Sequence, residues 1–128
     1  MNGRLSGLPK ELGILVKDAE VGRLTATMEI TESHLAANGY CHAGSIVTLA
    51  DTACGYGTFA SLPPKASGFT TIELKSNFLG TTLSGLATCK AVRIHAGRST
   101  QVWDATVHAD NGKKLAVFRC TQIMLYKE

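Results

Sequence analysis

Several things are scarce in this 128-residue sequence, and each shortage narrows what the chain can be. Its four cysteines (Cys41, Cys54, Cys89 and Cys120) form no CxxC pair, which argues against a zinc knuckle or a dithiol redox motif. The N-terminal stretch MNGRLSGLPKELG lacks the apolar core of a signal peptide. A cytoplasmic protein with reduced, mostly buried thiols is therefore expected. No apolar run approaches the ~18 residues of a membrane helix. There is no lysine or arginine block and the formal net charge is only +3, so neither nucleic acid nor membrane is an expected partner. His34, His95 and His108 show no metal-ligand spacing and read as structural or surface residues, with no metal site. Aromatics are only 6% of the chain against 13 glycines. Such a core is built from small and aliphatic side chains that let backbones approach closely.

What is present fits one globular domain over residues 1–128. Residues 1–10 form a polar lead-in, where Pro9 and Glu11 could open a short helical turn. The run Leu12–Lys17 is apolar enough for a strand. From Arg23 to Ile30 the pattern alternates, with Leu24, Ala26, Met28 and Ile30 on one face. A loop punctuated by Asn38-Gly39 follows. The period then becomes helical from Ala43 to Ala60. Strands are expected over Phe69–Phe78, Leu83–Ile94, Ser99–His108 and Leu115–Tyr126, with a tight turn at Asp110-Asn111-Gly112. One helix among five or more antiparallel strands is an α+β arrangement, and the helix must bury a face on the sheet.

At 100° per residue the helix has two distinct faces. Ile46, Leu49, Ala50, Ala53, Gly57 and Ala60 form an apolar stripe for the sheet. Opposite them lie Gly44, Thr48, Asp51 and Gly55, small and polar, with one carboxylate. A solvent-facing stripe usually carries Lys, Glu or Gln, and two glycines there cost about 1 kcal/mol each relative to Ala. A partner subunit or ligand approaching this face would explain them. His42 opens the same helix, nine residues before Asp51. That spacing leaves the two half a turn apart and about 13.5 Å along the axis. If both serve one site, the site must be shared between two chains, with His42 of one facing Asp51 of the other in a two-fold dimer. The N–H groups of Ala43 and Gly44 are expected to be unpaired in the first turn, where the helix dipole favours an oxyanion.

The stretch Asn38-Gly-Tyr-Cys-His42-Ala-Gly44-Ser-Ile-Val-Thr-Leu-Ala-Asp51-Thr-Ala-Cys-Gly55 resembles the signature of hotdog-fold thioesterases. It is most similar to the phenylacetate-degradation (PaaI-type) branch of the 4-hydroxybenzoyl-CoA thioesterase superfamily. The likeness extends from Leu12 to the end of the chain. It implies a hotdog fold, an antiparallel sheet wrapped around one long central helix, and hydrolysis of an acyl-CoA thioester without a cofactor. It also implies roles. Asp51 would activate water or attack the thioester. The N–H of Ala43 would hold the oxyanion, with Gly44 beside it. His42 and Asn38 would position that loop and contact the thioester or the water. Thr71 stands where relatives carry Ser or Thr near the water. The usual His-Gly-Gly reads His42-Ala43-Gly44 here, and a backbone donor survives the change. The turn Ala96-Gly97-Arg98-Ser99 resembles the CoA-binding turn of relatives, so that Arg93, His95, Gly97, Arg98 and Ser99 would meet the CoA phosphates. A homodimer with shared sites is implied, associating further into a dimer of dimers.

Other readings of the same residues are a hotdog dehydratase, which also pairs a His with an acid across a dimer, and a non-catalytic acyl-CoA-binding protein. Tyr56, Phe59 and Leu62 are candidates for shaping an acyl tunnel, whether for an aryl, arylacetyl or medium-chain group. Glu73 alternates with Ile72 and Leu74 and faces the opposite side of its strand. Cys41 and His42, adjacent at a helix start, point apart and are not expected to form a nucleophilic dyad.

Overall fold

The computed structural model describes residues 5–127. A short helix, α1 (Gly7–Glu11), leads into β1 (Ile14–Glu20) and β2 (Arg23–Ile30). A 3-10 turn (Glu32–His34) and a loop precede the long helix α2 (Ala43–Ala60). Then come β3 (Ala66–Phe78), β4 (Gly85–Ala96), β5 (Thr100–His108) and β6 (Lys114–Tyr126). The six strands form one antiparallel sheet in the order β1-β2-β4-β5-β6-β3. The sheet packs its inner face against α2, the sheet-around-helix arrangement expected of a hotdog fold.

Alternation in the sequence builds that inner face. Leu24, Ala26, Met28 and Ile30 of β2 are all buried, as are Ala87, Cys89 and Ala91 of β4 and Ala116, Phe118 and Cys120 of β6. Because most of these side chains are small, α2 can lie close to the strands. It buries Ile46, Leu49, Ala50, Ala53 and Gly57 as its spacing predicts. Ala60 departs from the expected stripe. In the last turn Phe59 and Ala60 are both exposed, whereas Gly57 and Thr58 stay buried. The closest approach is at Gly57, where a Cβ would lie 2.7 Å from two ring carbons of the buried Trp103.

Several boundaries shift from the sequence reading. The short helical turn expected at Pro9 and Glu11 is α1, which begins earlier, at Gly7, within the expected lead-in; residues 1–4 lie outside the described part. β1 starts at Ile14, not Leu12, because Gly13 takes φ +74° as α1 ends. β3 begins earlier, at Ala66, and β4 runs from Gly85 to Ala96. The far end of α2 is fixed by polar contacts. The Ser61 carbonyl accepts from Gln101 Nε2 (2.9 Å) and from Arg93 (3.3 Å), and Gln101 Oε1 accepts from Trp103 Nε1 (2.9 Å). These bonds satisfy an otherwise orphan helix-end carbonyl.

Candidate active site

The loop before α2 is held by His34, which is buried. Its Nδ1 accepts from Thr31 N–H (2.9 Å) and its Nε2 donates to the Leu12 carbonyl (2.7 Å). Its own carbonyl accepts from His42 N–H (2.9 Å) and from the Ser45 hydroxyl (3.1 Å). The structural reading of His34 thus holds. Asn38 Oδ1 accepts from Tyr40 N–H (3.1 Å), closing the turn at Gly39, which has φ +88°. Asn38 therefore shapes the loop. Cys41 N–H reaches Thr81 Oγ1 (3.3 Å) and so ties the loop to the segment after β3.

His42 is the N-cap of α2, and its Nδ1 accepts from Gly44 N–H at 2.8 Å. This corrects the expectation of two free donors, because the cap consumes the Gly44 N–H. The Ala43 N–H has no partner among the described residues. It opens onto a cleft of about 200 Å³ lined by Tyr40, Cys41, Ala43, Phe78 and Thr81. With Nδ1 accepting, the neutral His42 ring carries its proton on Nε2, free to donate.

Asp51 lines a different cleft, of about 440 Å³, with Thr52, Gly55, Tyr56, Phe59, Phe69 and Thr71. Burial raises the proton affinity of its carboxyl above the ordinary aspartate range. Its Oδ1 is buried with no hydrogen-bond partner among the described residues. Three of the chain's eight aromatic residues stand around this one carboxylate. Tyr56 and Phe59 were legible as lining candidates in the sequence; Leu62 does not line the cleft, and Phe69 was missed.

Thr71 joins Asp51 through a break in the pleat. Thr71 pairs with Gln122, but the next pair is Glu73 with Thr121, so Ile72 is an extra residue. Residues two apart on a regular strand share a face. This bulge instead turns Thr71 toward α2 and Glu73 outward, a common use of bulges beside active sites. Outside, Glu73 accepts from the Thr121 hydroxyl (2.8 Å), and Arg119 makes a two-point bond to Asp104 (2.6 and 2.9 Å). Inside, the Thr71 hydroxyl donates to Gln122 Oε1 at 2.5 Å. Gln122 was missed. Its signal was a polar residue in the inward row Ala116, Phe118, Cys120, Met124.

Within one chain the structure groups Asp51 with Thr71, and Ala43 with the His42 cap. The two clefts share no lining residue. The β4–β5 turn keeps His95, Arg98 and Ser99 exposed and Gly97 half-buried. Arg98 stacks over the Tyr126 ring, 5.1 Å from its centroid, while Arg93 bonds inward to the end of α2. Among the described residues, no helix is long and apolar enough to cross a membrane.

A sheet wrapped on one long helix, with a buried, unpartnered carboxylate oxygen mid-helix and an unpaired N–H at the helix start among the described residues, fits a hotdog-fold thioester hydrolase. Comparison with known proteins gives the family. The Thioesterase superfamily model matches residues 38–116, and the chain belongs to that superfamily. It is 36% identical over 115 residues to a 1,4-dihydroxy-2-naphthoyl-CoA hydrolase of Listeria monocytogenes, covering 90% of this chain and 93% of that protein. It is 33% identical over 111 residues to the acyl-coenzyme A thioesterase PaaI of Escherichia coli, covering 86% of this chain and 76% of that protein. The solved structure of E. coli PaaI superposes with TM-score 0.84 at 27% identity, covering 91% of this chain and 83% of that one.

Proposed function

We propose that the chain hydrolyses the thioester of an aromatic acyl-CoA, in a homodimer whose two sites each combine Asp51 of one subunit with the Ala43 helix terminus of the other. The observation that carries this reading is a desolvated carboxylate in an aromatic-lined cleft. A carboxylate with raised proton affinity is a better base near neutral pH. Aromatic walls favour a flat, apolar acyl group. The name of one relative, a 1,4-dihydroxy-2-naphthoyl-CoA hydrolase, agrees with such a substrate.

In this mechanism Asp51 takes one proton from water as the water oxygen bonds to the thioester carbonyl carbon. The carbonyl becomes an oxyanion held by the Ala43 N–H, with His42 Nε2 as a further donor. Gly44 contributes by fixing the His42 ring, and Asn38 by fixing the loop. Collapse breaks the C–S bond. The CoA sulfur leaves with the proton held on Asp51, and the free acid remains. Water is the second substrate, and this route needs no metal or redox cofactor. Arg98, with His95, Gly97 and Ser99 around it, offers positive charge and donors to the CoA phosphates, whereas Arg93 is engaged with the Ser61 carbonyl.

The dimer draws support from two features. The Gly44, Thr48, Asp51 and Gly55 face of α2 is only partly covered, with Gly44 exposed and the other three half-buried, and β3 is an edge strand of 13 residues bearing the exposed Ile72 and Leu74. Long edges of this kind are normally paired or covered. Exposed Val92, Ile94 and Leu125 favour further association into a dimer of dimers. The whole is read as one cytoplasmic domain over residues 1–128. The test is thiol release from a panel of aromatic and aliphatic acyl-CoAs by wild type and Asp51→Asn. Turnover of aromatic members that the variant loses supports the proposal. Preference for aliphatic members sinks the substrate class, and an undiminished Asp51→Asn sinks the role of Asp51.

A further inference from the structure

Gln122 is 0% exposed, on the inner face of β6 opposite Thr71. An amide in so apolar a row is costly unless both of its ends are bonded. Only one is. Oε1 accepts the Thr71 hydroxyl, whereas Nε2 is buried with no partner among the described residues. Across the cleft, Asp51 Oδ1 is buried and unpartnered too. The one polar contact of this unfavourable side chain is therefore to a hydroxyl lining the cleft of Asp51.

That contact decides what Thr71 can do. A hydroxyl has one hydrogen and two lone pairs. With its hydrogen directed to Gln122, Thr71 can only accept from the cleft. An ionised Asp51 can also only accept. A water between them donates one hydrogen to each and keeps a lone pair free for a carbonyl carbon. A Thr71 released from Gln122 could turn and donate to Asp51, which would weaken the base and remove the second acceptor.

We propose that Gln122 is a positioning residue, which locks Thr71 as an acceptor so that Thr71 and Asp51 together orient the attacking water. This rests on the reading of Asp51 as the base. It gives a physical reason for a half-bonded amide in the core, and it favours activation of water over direct attack by Asp51.

The test compares kcat, KM and thermal midpoint for wild type, Gln122→Met, Thr71→Val, Thr71→Ser and the Gln122→Met/Thr71→Val double variant. Each of Gln122→Met and Thr71→Val should lower kcat by about tenfold to hundredfold, the range for a misplaced reactant. KM should stay within about twofold, because ground-state binding is untouched. The double variant should be no slower than the singles. Thr71→Ser, which keeps the hydroxyl, should retain most of the rate. The midpoint of Gln122→Met should not fall, since an unpaired buried donor is removed. Wild-type kcat in Gln122→Met overturns the proposal, as do losses that multiply in the double variant. So does wild-type kcat in Thr71→Val, an outcome that decides the matter even if Gln122→Met does not fold. An undiminished Asp51→Asn would instead refute the underlying reading of the base.

Discussion

Replacing Ala43 by proline should remove one hydrogen-bond donor from the site and almost nothing else. Ala43 is the first residue of α2, the position at which a helix best tolerates proline. His42 before it has φ −67° and ψ 131°, the extended conformation that a following proline requires. The Ala43 N–H has no partner among the described residues, so no bond of the folded chain is lost. If that N–H holds the oxyanion, its removal should slow kcat by roughly 10²–10³, equivalent to about 2.7–4 kcal/mol of transition-state stabilisation. The thermal midpoint should change little. Subunit exchange then tests where the partner residue lies. Mixing Ala43→Pro with Asp51→Asn, each nearly inactive alone, makes about half of the dimers hybrid under random pairing. If each site joins residues from two chains, a hybrid contains one intact site, and the mixture recovers about a quarter of wild-type activity. If each site lies within one chain, no intact site forms and nothing is recovered. A fully active Ala43→Pro would refute the oxyanion assignment. A mixture no faster than its components would refute the shared site.

Other expected outcomes can be checked directly. Gly57→Ala should lower the thermal midpoint, because its Cβ would drive the Trp103 ring back by about 1 Å from a 2.7 Å contact. After the gain of about 1 kcal/mol in helix propensity, a net loss of about 1–2 kcal/mol is expected from overpacking. Gly55→Ala, whose Cβ would meet only Phe69 at 3.6 Å, should cause no such loss in melting experiments. Burial raises the Asp51 pKa, so the acid limb of kcat/KM should lie above the ordinary aspartate range in a pH-rate profile. Because protonation of Asp51 favours the folded state, its contribution is present below the unfolded pKa and lost as pH rises through the folded one. Asp51→Asn should therefore raise the midpoint at neutral pH in a melting experiment. Burial holds the Cys89 thiol up at about 12, and a hydrogen bond with Cys120, together with burial, raises Cys54. Alkylation of the native protein followed by mass spectrometry should label Cys41 alone and slowly, with Cys54, Cys89 and Cys120 reacting only after unfolding.

By itself the sequence determined the strand β2, the helix over Ala43–Ala60 and the order of elements, because each depends on a local period or turn. The same locality placed Asp51 on the helix face opposite the apolar stripe and showed that it could not meet His42 within one chain. Other features depended on what lies across space. That Gly57, rather than Gly55, meets a close neighbour followed from where β5 puts Trp103. That the Gly44 N–H is taken followed from the rotamer of the His42 cap. Thr71 and Glu73, two apart, face opposite ways because one extra residue enters the β3–β6 ladder, which no alternation pattern reveals. Gln122 was visible as a polar interruption, but only strand pairing put its amide on the Thr71 hydroxyl. Periodicity fixes which side of its own element a residue occupies; pairing register and bulges decide what it meets there.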